Sequence, residues 1–115
     1  MKKFSISLVS GFVMLAFAAM VPAHAVVDAE AAQALAKKND CFKCHSVDKT
    51  KKGPSLKKIA AKYKGKPDGQ ELAIKNMTTA GNKVKLEDGS EEEHKVIDSK
   101  DAGAIKNLAD WILSR

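Results

Sequence analysis

The chain has 115 residues, 44% hydrophobic and 30% charged, with a formal net charge of +6. That is enough for one domain, too apolar for a disordered polyelectrolyte and too charged for a multi-span membrane protein. Residues 26–115 hold one Trp, one Tyr and one Phe, a thin core that small domains supplement with a metal, disulfides or a cofactor.

The chain opens on Met1-Lys2-Lys3, runs apolar from about Phe4 to Val21, and then reads Pro22-Ala23-His24-Ala25. A positive start, an apolar stretch and small residues two apart (Ala23 and Ala25) predict a secretory signal peptide, cleaved to leave residues 26–115 as a single domain. Three serines and Gly11 dilute the stretch against service as a permanent anchor, so no stable membrane insertion is expected. Loss of Lys2 and Lys3 lowers the net charge to +4. Export implies a periplasm or an equivalent oxidising compartment. Two cysteines there would pair with each other unless something else occupied them.

Asp28 is placed to cap a first helix over residues 29–38, rich in Ala, Leu and Lys. Next comes Asp40-Cys41-Phe42-Lys43-Cys44-His45. C-x-x-C-H predicts covalent attachment of one haem c. The two thiols reach two vinyl groups along one porphyrin edge, and the adjacent His45 becomes the proximal iron ligand. A flat apolar macrocycle would also supply the missing core. Two other uses of C-x-x-C fit less well. A redox dithiol would want a preceding strand and a βαβ pattern, and a zinc site would want ligands that the remaining sequence hardly offers.

A basic loop, Lys49 to Gly53, leads to Pro54. Ser55 then caps a helix to about Tyr63, with Leu56, Ile59, Ala60 and Tyr63 on one face. Gly65 to Pro67 ends it. Asp68-Gly69-Gln70-Glu71 has capping-box spacing and opens a helix to about Asn76, with Leu72, Ala73 and Met77 turned inward. Residues 78–98 lack helical periodicity. Weak alternation at Val84-Lys85-Leu86 and the turn signal Asp88-Gly89 predict a short hairpin or an extended loop. Ser99 is the expected cap of a last helix over residues 100–114. Its stripe is Ala102, Ile105, Leu108, Ala109 and Ile112, with Trp111 on the flank.

The attachment motif, Gly53-Pro54 and the terminal Leu108-Ala109-Asp110-Trp111-Ile112-Leu113 together resemble the small bacterial class I (monohaem) cytochromes c. The resemblance is good over residues 35–76 and 100–114 and poor over 77–99. It implies an all-α fold of four or so short helices wrapped around one covalent haem, the first helix crossing the last. It also implies that the Pro54 carbonyl accepts the ring N–H of His45, which orients the ligand and raises its basicity. Its members usually bring a Met to the sixth coordination site from ahead of the last-helix Trp. Here position 95 is Lys, with His94 beside it.

Within residues 26–115, His94 and Met77 are the only other His and Met. His94 lies in the loop that delivers the distal ligand in that family, and is the first choice. Met77, at a helix end, is the second, against its commoner use as a core side chain. An open iron is the third. A thioether would raise the reduction potential and a second imidazole would lower it. Glu91-Glu92-Glu93 would raise the pKa of an unbound His94.

Residues 37–66 carry eleven lysines against Asp40 and Asp48, while residues 86–101 carry seven acids against Lys95 and Lys100. A lysine surface around the attachment site suits transient docking on an acidic face of redox partners. Nucleic acid is a poor fit for an exported chain with few aromatics and one arginine. No catalytic constellation stands out. The reading is therefore a monomeric periplasmic one-electron carrier and not an enzyme. A haem protein binding a diatomic gas at a vacant or displaceable sixth site is the alternative, and a haem-free dithiol protein is a distant third.

Overall fold

A computed structural model describes residues 26–115. The targeting segment expected at residues 1–25 lies outside them. The elements run α1 (Ala29–Lys38), α2 (Cys41–Cys44), α3 (Leu56–Tyr63), α4 (Gly69–Thr78), β1 (Lys83–Lys85), β2 (Glu91–Glu93) and α5 (Ala102–Leu113). No helix among the described residues is long and apolar enough to cross a membrane.

Local chemistry sets most boundaries. Asp28 caps α1 by accepting from the Ala31 N–H, and Ser55 caps α3 by accepting from Lys58. Gly65, at φ 76, turns the chain out of α3 in a conformation that a side chain disfavours. The capping box expected before α4 does not form: Asp68 makes no side-chain cap bond, and the helix runs on to Thr78. The last helix is capped by Asp101 and not by Ser99. The Asp101 carboxylate accepts from Ala104 N–H, while the Ser99 hydroxyl accepts from the Asp101 N–H. The hairpin pairs Lys83 with Glu93 and Lys85 with Glu91, opposite charges facing across strands. Gly89, at φ 85, serves its turn.

The core lies where α5 packs on α1, α3 and α4. Ala32 and Ala36 are small and buried, which lets α5 come close and bury Leu108 completely. Trp111, on the flank of the stripe, is 2% exposed and meets Phe42 edge-on, with ring centroids 6.3 Å apart. A second small cluster joins Tyr63, Ala73 and Ala109. Asn107 ties the ends of the domain. Its amide accepts from the Asp28 N–H and donates to the Asp28 carbonyl, both at 2.8 Å. Several apolar side chains, including Phe42, Val47, Ile59, Ile74 and Met77, are only partly covered by the rest of the chain.

Candidate haem site

Asn39 ends α1, and Asp40 then takes a left-handed conformation (φ 60) that starts the single turn of α2. Asp tolerates that conformation better than most residues. Cys41 and Cys44 sit three apart on this turn, hence on one side of it, both half-buried and unpaired. Burial pushes the Cys41 thiol up from its ordinary value, with smaller contributions from the nearby Asp40 and Cys44. Among the described residues no group of three His, Cys, Asp or Glu converges as a metal site, so the pair lacks the partners of a tetrahedral zinc.

His45 leaves α2 in an extended conformation, paired with Thr50. Its Nδ1 lies 2.7 Å from the Pro54 carbonyl. A carbonyl can only accept, so Nδ1 carries the proton and Nε2 keeps its lone pair for a metal. Gly53 makes this possible. A Cβ there would stand 2.8 Å from His45 Cε1 and 3.2 Å from Nδ1. The Gly53 N–H also donates to the Cys44 carbonyl at 2.9 Å, closing the loop against the motif.

The ring beside His45 is that of His94: their centroids lie 6.1 Å apart, tilted by 57°. Two imidazoles bound through nitrogens about 2.0 Å from a shared metal put their centroids roughly 6 Å apart. Iron fits this spacing. The half-covered apolar side chains nearby and the two unpaired thiols suit the macrocycle. His94 Nδ1 is buried without a well-formed hydrogen bond. Burial lowers the His94 pKa from its ordinary value, and His45 lowers it further, with the Asn76 carbonyl opposing. The expected upward push from Glu91, Glu92 and Glu93 is thus overturned, because those side chains are exposed while the imidazole is half withdrawn from water. Neutral imidazole is the form that binds metal. Met77 occupies the last turn of α4 and packs against both core clusters, the ordinary use of a methionine.

The basic loop and the acidic hairpin are neighbours. Lys51, Lys52, Leu86, Glu87, Asp88 and Glu92 line a cavity of about 290 Å³. Ser90 first, and Lys52 more weakly, hold the Asp88 carboxyl below its ordinary value. Part of the expected charge separation is therefore neutralised within the molecule. A larger cleft of about 350 Å³ between α3, the start of α4 and the C-terminal residues contains none of the site residues.

Two supports of the site carry no local signal in the sequence. Lys95, beside His94, reaches Asp40, beside Cys41, at 3.0 Å, although 55 positions separate them. The Asp98 N–H donates to Asn39 Oδ1 at 2.8 Å. Charge complementarity alone could not have singled out Lys95 among so many lysines.

A one-turn helix presenting two thiols, with a histidine directly after it, inside a small helical chain closed by its first and last helices, is the build of a monohaem c-type cytochrome. The Cytochrome c family model matches residues 29–115. Cytochrome c-552 of Nitrosomonas europaea is 38% identical over 99 residues, covering 86% of this chain and 88% of that protein. The crystal structure of the class 1 cytochrome MtoD from Sideroxydans lithotrophicus ES-1 superposes with a TM-score of 0.73 at 57% identity, over 77% of this chain and 97% of that one. The Nitrosomonas cytochrome c552 structure gives 0.57 at 34% identity, over 71% and 96%. The chain belongs to the cytochrome c family, electron carriers with one covalent haem c, and holds Cys41, Cys44 and His45 in the C-x-x-C-H arrangement.

Proposed function

We propose that this chain is an exported, monomeric one-electron carrier of the periplasm. Cys41 and Cys44 form the thioethers, His45 is the proximal iron ligand and His94 the distal one. The observation that carries the ligand assignment is the closeness of the two imidazoles, whose ring centroids lie 6.1 Å apart. Haem supplies a reversible ferric–ferrous couple. The chain's part is to hold two neutral imidazoles, exclude water and set the potential. Pro54 keeps the His45 ring in one tautomer and makes its Nε2 a better donor. A second imidazole in place of a thioether lowers the potential. Residues 1–25 act as the cleaved export signal. The lysines between residues 37 and 66 steer an acidic face of the redox partner toward the attachment side.

The test is the visible-to-near-infrared spectrum of the ferric protein beside His94→Ala. Two-imidazole ligation gives a low-spin spectrum without the weak red band of an iron–thioether bond, and the substitution turns it high-spin. A red band retained in the variant would make Met77 the ligand. A high-spin wild type would move the reading to gas binding.

A further inference from the structure

Between β2 and α5 the chain runs without regular structure over residues 94–101, and its first part, residues 94–98, forms a strap. His94 stands at its start and Ile97, 7% exposed, is buried in the main core cluster. Backbone bonds fix two points: His94 N–H donates to the Asn82 carbonyl at 2.7 Å and Ile97 N–H to the Met77 carbonyl at 2.8 Å. Two more grips come from side chains immediately ahead of the attachment cysteine. Asn39 Oδ1 accepts from the Asp98 N–H at 2.8 Å, while its Nδ2 donates to the Leu35 carbonyl at 2.9 Å. With both ends of the amide used, its orientation is determined. Asp40 takes Lys95 on one carboxylate oxygen and Lys43 on the other, each at 3.0 Å. Its left-handed backbone, φ 60, is a conformation that few residues adopt, and it sits immediately ahead of the haem motif.

We propose that Asn39, Asp40 and Lys95 form a clasp that positions the distal ligand: they bind the strap to the segment carrying the thioethers and so set how often His94 leaves the iron. The proposal rests on the two-imidazole reading above. None of the three touches the reacting atoms, so they are positioning residues. The clasp joins the His94 strap to the segment carrying Cys41 and Cys44 through protein bonds alone. Opening it leaves His94 tethered on one side by the hairpin and on the other by Ile97, with nothing holding the two residues between. The two grips differ in character. The amide bond is directional and insensitive to salt. The ion pair is exposed, with side chains 60% and 40% accessible for Lys95 and Asp40, so it is weak and screened by salt.

The experiment uses the ferric holoprotein and cyanide as the replacing ligand. At saturating cyanide the replacement rate equals the rate at which His94 is released. Asn39→Ala is expected to raise that limiting rate about fivefold, the loss of one good hydrogen bond. Lys95→Gln is expected to raise it about twofold. Added salt should accelerate the wild type toward the Lys95→Gln value and leave Lys95→Gln unchanged. In a cycle with Asp40→Asn, the effects on rate should be non-additive, because both changes break one pair. Asp101→Ala is the control for general weakening: its unfolding midpoint falls while its limiting rate stays at the wild-type value.

Limiting rates unchanged in both Asn39→Ala and Lys95→Gln, with the wild type showing two-imidazole ligation, would overturn the clasp and leave the ligand assignment standing. A wild type showing the iron–thioether band would overturn both, and would be seen before any cyanide was added. Lys95 is exposed and the substitution removes nothing from the core, so that variant keeps the test available should Asn39→Ala fold poorly.

Discussion

Gly53→Ala is a small change at a crowded point. The added methyl would lie 2.8 Å from His45 Cε1, 3.2 Å from Nδ1 and 3.4 Å from the Cys44 carbonyl. Carbon atoms in good contact stand about 3.5–4.0 Å apart, so ring and loop have to separate by roughly 0.7 Å or more. Neither yields freely. The ring is held by its 2.7 Å bond to Pro54, and the loop by the 2.9 Å bond from Gly53 N–H to Cys44. Gly53 is outside the left-handed region that disfavours a side chain, so the cost is one of packing. Overpacking of this kind costs about 1–3 kcal/mol. The assay is denaturant unfolding of the ferric holoprotein at constant slope, together with a potentiometric titration. Stability should fall by that amount. The potential should rise, because a stretched Nδ1–H bond makes His45 a poorer donor. An unchanged midpoint and an unchanged potential would refute the steric account.

Leu108 is fully buried, so Leu108→Ala should cost about 2–5 kcal/mol in chemical unfolding. Asp101→Ala should cost about 1 kcal/mol and Ser99→Ala clearly less in the same experiment, since only Asp101 accepts from a first-turn amide of α5. The Asp40 carboxyl is held below its ordinary value of 3.8 by its hydrogen bonds to Lys43 and Lys95. Because the folded pKa is the lower one, its contribution is fully present above the unfolded value and is lost as pH falls through the folded one. The stability difference between wild type and Asp40→Asn should therefore be flat from neutral pH down to mildly acidic pH and shrink below pH 3.8.

What was legible in the sequence was local. The C-x-x-C-H run, the caps at Asp28 and Ser55, the Asp88-Gly89 turn and the α5 stripe from Ile105 onward each depend on residues within one or two turns of each other, and each stands where expected, whereas Ala102 at the head of that stripe is exposed. The misses have a common origin in tertiary competition. Ser99 and Asp101 are both good caps two residues apart, and only the final packing of α5 decides between them. The partner that covers Trp111 on the flank of the stripe, Phe42, lies 69 positions away and has no local signal. The pKa of His94 moved against the local charge pattern because burial outweighs exposed glutamates. The grips of Asn39 and Asp40 on the strap span more than fifty positions, and no spacing rule reports them.

The tie between Asn107 and Asp28 joins residues 79 apart, and it has a consequence for the order of assembly. Contacts of such separation form late, since loop closure costs entropy before it returns any contact energy. A ten-residue helix such as α1 has little stability alone in water. Until α5 has arrived to cover Ala32 and Ala36, the segment bearing Cys41 and Cys44 remains an open, accessible chain. The thiols can then be joined to their cofactor before the domain shuts, and the ring, once tethered, gives the last helix an apolar surface on which to close.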